Sequence, residues 1–226
     1  MDLAVKDVAS LLNLSEEKVN RLIDEGKIPA YRMNQEYRFS LMEIENWVLQ
    51  RSPSEELDEL SLEKKGTKQF NLFRALHKGG VVHGISGKTK EDVIHNTLFS
   101  LKEEIQTDGE VVARLLLNRE SLHSTALGGG IAIPHTRDFI LKPDADVVFA
   151  VFLEEPIPYG ALDGQPVDIL FFLFASDDKK HLSLLAKLAH LSGEKEAIEF
   201  LRQKPSKGAL LNFVKLFETK LLSLGE

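Results

Sequence analysis

Between Asn118 and Arg137 the chain reads Asn118-Arg119-Glu120-Ser121-Leu122-His123-Ser124-Thr125-Ala126-Leu127-Gly128-Gly129-Gly130-Ile131-Ala132-Ile133-Pro134-His135-Thr136-Arg137. Consecutive glycines before an apolar run let a backbone approach a neighbour closely and free its N–H groups to face it. Pro134 holds the chain just before His135, so the imidazole is expected at the exit of a buried strand, rigid yet accessible. Arg119, Ser124 and Thr125 are donors that could converge on the same point, with Gly128 and Gly129 supporting the pocket. A histidine beside a guanidinium and hydroxyl donors suits acceptance of a phosphoryl group. The ring is the nucleophile, and the donors stabilise charge on the equatorial oxygens.

The remaining histidines carry less. His190 lies nine positions after His181; at about 100° per residue the two rings are half a turn out of phase and cannot share a pocket. His190 therefore reads as structural, and His123 as surface or packing. His77, His83 and His95 have no metal-like spacing with carboxylates. Gly87-Lys88-Thr89 carries the end of a phosphate-binding loop, but its required first glycine falls on Val82, so nucleotide hydrolysis is a weak reading. There is no cysteine, which removes disulfides, thiolate nucleophiles and Cys-based zinc sites. No metal or cofactor is demanded.

The elements that must position these residues follow from periodicity. Val81–Ile85, Gly130–Ile133, Asp146–Leu153 and Val167–Ala175 read as strands, and the last is apolar at nearly every position. Helices are expected over Thr89–Lys102 (capped by Thr89 with Asp92 at N3), from Asp108 to Asn118, and over Lys180–Leu191, Lys195–Arg202 and Lys207–Leu222. Strands and helices mixed in this order argue for an α/β layer fold. No apolar run is long enough for a spanning helix, and the start lacks a charged segment followed by an apolar one, so no signal peptide is expected. A net charge of −7 disfavours general nucleic-acid coating; any DNA contact must be local to one face.

The segment Arg119-Glu120 … Ser124 to His135 resembles the IIA domains of the mannitol/fructose and nitrogen-regulatory type in the phosphoenolpyruvate-dependent phosphotransferase system. Pro156-Ile157, Gly164-Gln165-Pro166-Val167-Asp168 and His181-Leu182 match at the right distances, and the resemblance covers roughly residues 68–222. It implies a mixed β-sheet flanked by helices, His135 as the phosphorylated residue attacking through Nε2, His181 beside it and Arg119 on the phosphoryl group. The donor implied is phospho-HPr or a nitrogen-branch equivalent. From the residues alone, the alternative for His181 is a surface residue at the start of a helix.

Residues 1–51 form a second unit. Val5, Val8, Ala9, Leu11 and Leu12 have helical spacing; Ser15 caps a second helix carrying Val19, Leu22 and Ile23, which Gly26 ends; Ile28–Arg32 and Tyr37–Phe39 read as two short strands; Ser40 caps a third helix with Leu41, Ile44, Trp47 and Val48. This order resembles the excisionase/MerR-like winged helix-turn-helix family. It implies a recognition helix from Ser15 to Glu25 and DNA contacts from Lys18, Arg21, Lys27, Arg32 and Arg38. Glu16 and Glu17 depart from the family pattern. Residues 1–51 hold seven basic and nine acidic side chains, a poor balance for unaided DNA affinity, so a protein-binding or self-association module stays open. Residues 52–67 are polar and read as a linker, with a short helix near Leu57–Leu62; residues 68–226 form the second domain. Three function classes result: a cytoplasmic phosphocarrier with a regulatory role, a DNA-binding regulator whose second domain senses phosphorylation, and a scaffold that only binds partner proteins. A phosphoryl group at His135 would be expected to shift partner or interdomain contacts.

Overall fold

The computed structural model describes residues 2–12, 14–50, 71–105, 107–138 and 146–224. The linker, its short helix and both domain boundaries around it lie outside the described residues.

The N-terminal unit runs β1 (Asp2–Ala4), α1 (Val5–Leu12), α2 (Glu16–Asp24), β2 (Tyr31–Met33), β3 (Glu36–Ser40) and α3 (Leu41–Gln50). Ser15 caps α2 by accepting the Lys18 N–H at 3.2 Å. Gly26, at φ +65°, takes the left-handed position that ends it. The wing is a hairpin turning at Asn34 and Gln35, both at positive φ, the conformation that joins twisted antiparallel strands over two residues. The sheet has three strands rather than the two read from the sequence: β1 pairs along β3, Leu3 opposite Phe39. Three residues give no periodicity, so β1 was invisible beforehand.

The second unit runs α4 (Asn71–Lys78), β4 (Gly80–Ile85), α5 (Lys90–Ser100), α6 (Gly109–Leu122), β5 (Ala126–Gly128), β6 (Ile131–Ala132), β7 (Val147–Ile157), β8 (Val167–Phe174), α7 (Asp178–Gly193), α8 (Lys195–Leu201) and α9 (Lys207–Leu224). Its sheet has the order β4-β7-β8-β6-β5; β4 is parallel to β7, β6 is parallel to β8, and the other pairs are antiparallel. Val148, Ala150, Phe152, Ile169, Phe171 and Leu173 face α4, α7 and α9. Phe149, Val151, Leu153, Leu170, Phe172 and Phe174 face α5 and α6. A sheet covered on both faces explains why β8 is apolar at almost every position. α5 opens with the expected reciprocal cap between Thr89 and Asp92.

The two units share one core. Val8, Ala9 and Leu12 of α1 and Ile44, Val48 and Leu49 of α3 belong to the same buried cluster as Leu182, Leu185 and Leu188 of α7. The face of α7 beside the sheet's β6 end is therefore roofed by α1 and α3, while α2 keeps Glu16, Glu17, Asn20, Arg21 and Asp24 exposed.

Candidate functional site

β6 is short, but its line continues. Leu173 N–H donates to Pro134 O at 3.0 Å, and His135 bridges Leu173 in parallel. This brings His135 to the start of α7, whose N-cap Asp177 accepts from Lys180 N–H. His181, in the first turn of α7, stands with its ring centroid 5.2 Å from that of His135 at 57°.

The His135 ring has one orientation and one tautomer. Nδ1 lies 2.6 Å from Ile133 O. A carbonyl only accepts, so Nδ1 carries the proton and the lone pair sits on Nε2. Nε2 is buried and, among the described residues, has no hydrogen-bond partner. Burial, reinforced by His181 and by the Arg119 and Arg137 guanidiniums, holds this imidazole well below its ordinary pKa, so the ring is neutral. A buried, unpartnered lone pair is costly, by about 1–3 kcal/mol, and leaves Nε2 uncommitted to any other group in the described residues.

Arg119 reaches the site from the last turn of α6. Its Nη1 donates to His123 O at 3.0 Å, and its Nη2 to Asn46 Oδ1 at 2.9 Å. Burial lowers its pKa, offset by Glu45 and Glu120; a guanidinium stays charged regardless. Glu120 beside it is tied by Lys90 Nζ at 2.9 Å and by Thr125 Oγ1 at 2.6 Å.

Several expected site residues are held elsewhere. The Thr125 hydroxyl is spent on Glu120, and Ser124 Oγ donates to Tyr159 O at 2.9 Å. The glycine turn is clasped by Asp163, which accepts Gly129 N–H at 2.8 Å and is held below the usual carboxylate range by that bond and by Gln165 N–H. Gly128, Gly129 and Gly130 all have positive φ, and a Cβ on Gly128 would press on Asp163. They form the β5–β6 turn. Ser124, Gly128 and Gly129 instead line a cleft of about 360 Å³ with Leu49, Gln50 and Asp163, at the seam between α3 and the second unit. His190 is buried and pairs with Glu194 at 3.2 Å, as a structural histidine would. His123 meets Gln50 of α3 at 3.1 Å.

The expected accessibility of His135 does not hold either: the ring has no exposed surface. Glu45 of α3, itself fully buried, lies against it, with a carboxylate oxygen within 4.8 Å of a His135 ring nitrogen. Its carboxylate lies 3.3 Å from His181 Nε2, 3.0 Å from Arg137 Nε and 3.9 Å from Arg119 Nε. Glu45, Asn46 and Arg137 were not singled out in the sequence. Arg137 had a signal, two places after His135 and hence on the same side of an extended chain. Glu45 had a fainter one, a carboxylate inside the apolar stripe of Leu41, Ile44, Val48 and Leu49.

Ligand atoms of Glu45, His135 and His181 all lie within 4.8 Å of one another, a set that in geometry could hold a divalent cation. Two guanidiniums against the same carboxylate make the pocket electropositive and favour an anion instead.

On the N-terminal module, Lys27 pairs with Glu25 at 3.0 Å and Arg38 with Glu36 at 2.5 Å, so neighbouring carboxylates partly neutralise both of these expected DNA contacts. Arg32 lies over the Tyr37 ring at 5.1 Å; Arg21 is exposed and Lys18 half-buried.

The second unit has the fold of the IIA class of phosphotransferase-system domains. The chain belongs to the family described as "Phosphoenolpyruvate-dependent sugar phosphotransferase system, EIIA 2", whose model matches residues 74–216. A helix-turn-helix domain model matches residues 3–52. The chain is 31% identical over 148 residues to a nitrogen regulatory protein of Pseudomonas aeruginosa, covering 64% of this chain and 95% of that one. It is equally 31% identical over 148 residues to the Bacillus subtilis PTS system fructose-specific EIIABC component, of which that stretch is 23%. Among solved structures, nitrogen regulatory protein IIA-Ntr from Neisseria meningitidis superposes with a TM-score of 0.54 at 29% identity, over 61% of this chain and 93% of that one. Escherichia coli mannitol IIA shares the fold at a TM-score of 0.50 and 22% identity, over 67% and 99%. Among the described residues, no helix is long and apolar enough to cross a membrane.

Proposed function

We propose that this chain is a phosphocarrier that takes a phosphoryl group onto His135 Nε2 from a phosphohistidine on an HPr-like protein in the cytoplasm, and that it acts in regulation rather than sugar uptake. The observation that carries the reading is the His135 ring itself: neutral, fixed by Ile133 O, with its only lone pair on Nε2 beside His181, Arg119 and Arg137. Nε2 forms the new N–P bond as the donor's N–P bond breaks in line, and the electron pair returns to the donor ring. Arg119 and Arg137 offset charge on the transferring oxygens. His181 sits where its ring can donate to one of them. No metal is routed into the step. Regulation is favoured by the helix-turn-helix domain joined to the IIA domain, since identity alone is divided between regulatory and transport relatives.

The test is intact-mass analysis after incubation with phosphoenolpyruvate and the general phosphotransferase proteins. His135→Ala is expected to abolish acid-labile label, and His181→Ala to slow uptake without stopping it. An acid-labile phosphoryl group on the His135→Ala protein would sink the assignment.

A second reading, a DNA-binding regulator, is favoured by one observation. α2 and the wing keep their outer faces exposed although α1 and α3 are covered.

A further inference from the structure

We propose that the helix-turn-helix domain is an intramolecular cap on the histidine pocket, with the Glu45 carboxylate seated where a phosphoryl group on His135 would lie. This rests on the reading of His135 as the acceptor. A carboxylate is the side chain closest to a phosphoryl group in what it offers a pocket: negative charge and oxygens spaced for guanidinium donors. Glu45 uses both. Arg137 Nε donates to Oε2 at 3.1 Å, Arg119 Nε stands 3.9 Å from the same oxygen, and His181 Nε2 is 3.3 Å from Oε1.

α3 also occupies the ground around the pocket. Asn46 Oδ1 takes the other end of the Arg119 guanidinium at 2.9 Å, Gln50 meets His123 at 3.1 Å, and Val48 and Leu49 enter the core beside α7. A phosphohistidine on another protein must come within bonding distance of Nε2, and that approach needs the face α3 covers. Docked α3 and docked donor exclude one another. The open cleft lined by Leu49, Gln50, His123 and Asp163 lies along this seam, so the packing of α3 against the second unit is not continuous there.

Transfer then reinforces opening. A phosphoryl group carries about −1.5 to −2 charge near neutral pH, against a single charge on Glu45. It takes over the same two arginines, and like charge keeps Glu45 from returning. Phosphorylated chain presents α1 and α3 faces that the unphosphorylated chain buries, so the module reports the state of His135 to whatever binds it.

The experiment uses the full chain in four forms: wild type, Glu45→Gln, Glu45→Ala, and a Gln50→Cys/His123→Cys pair joined by a short bismaleimide. The natural sequence has no cysteine to interfere. Two rates are read: acid-labile phosphoryl uptake from the phosphoenolpyruvate relay, and diethyl pyrocarbonate modification of His135 located by peptide mass. Both Glu45 variants are expected to raise both rates by about tenfold or more, because apparent reactivity scales with the open fraction. The cross-linked form is expected to resist both relative to its own uncross-linked parent, which lacks the Gln50–His123 contact and is the reference for that comparison. Equal rates in all forms would overturn the cap and leave the acceptor reading intact. Faster His135 modification in the Glu45 variants with no phosphoryl label in any form would overturn the acceptor reading, and the phosphoryl part of this proposal with it.

Discussion

At the scale of single residues, the neutrality of His135 has a cost that depends on pH. The unfolded chain binds a proton on this ring near the ordinary value of about 6.5; the folded chain binds it only at much lower pH, because the ring is buried beside His181 and Arg119. Between those limits the unfolded state holds more protons, so stability rises with pH and is lost as pH falls below the unfolded value. Each unit of depression contributes about 1.4 kcal/mol. Urea midpoints are expected to drop from about pH 7 to 5 in the wild type and to drop less in His135→Gln, which has no proton to bind. Parallel curves for the two proteins would show that the folded ring is not depressed.

At the scale of elements, a buried ion pair fastens the helices under the sheet. Lys187 of α7 and Glu218 of α9 meet at 2.7 Å with almost no exposure. Glu218 also accepts Leu72 N–H at 3.1 Å and Phe73 N–H at 2.9 Å, closing the exposed donors at the start of α4. Glu218→Ala removes both functions and takes the carboxylate from the buried Lys187 ammonium, which keeps Asn71 Oδ1 as an acceptor, so a loss of about 3 kcal/mol is expected in urea unfolding. A loss below about 1 kcal/mol would mean that water or another acceptor replaces it. The pair spans thirty-one residues, and no local pattern in α9 announced it. Periodicity located α9 itself; only packing revealed which of its carboxylates points inward.

At the scale of the whole molecule, the exposed α2 and the buried α3 divide the N-terminal module into an outward and an inward face. DNA contact through α2 and the wing is therefore compatible with the capped state. Gel-shift titrations at low salt are expected to retard duplex DNA, with Arg21→Ala and Arg32→Ala weakening retardation and each flattening its salt dependence by about one counterion. No retardation on any duplex at low salt would leave the module as a protein-facing element only.

Most strand and helix assignments in the second domain were legible because their signals are local; the short α4 and β5 were not read from the sequence. The glycine turn, Pro134, the Thr89–Asp92 cap and the unbroken apolar run of β8 each act within a few residues. His135 as a candidate acceptor was legible too, from residue types close in sequence. The environment of that ring was not. Ser124, Thr125, Gly128 and Gly129 lie near His135 in sequence yet bond to Tyr159, Glu120 and Asp163, while Glu45, ninety residues away, closes the pocket. Backbone propensities and apolar spacing are properties of a segment. Whether two charged groups meet depends on how distant segments pack, which only the folded chain decides.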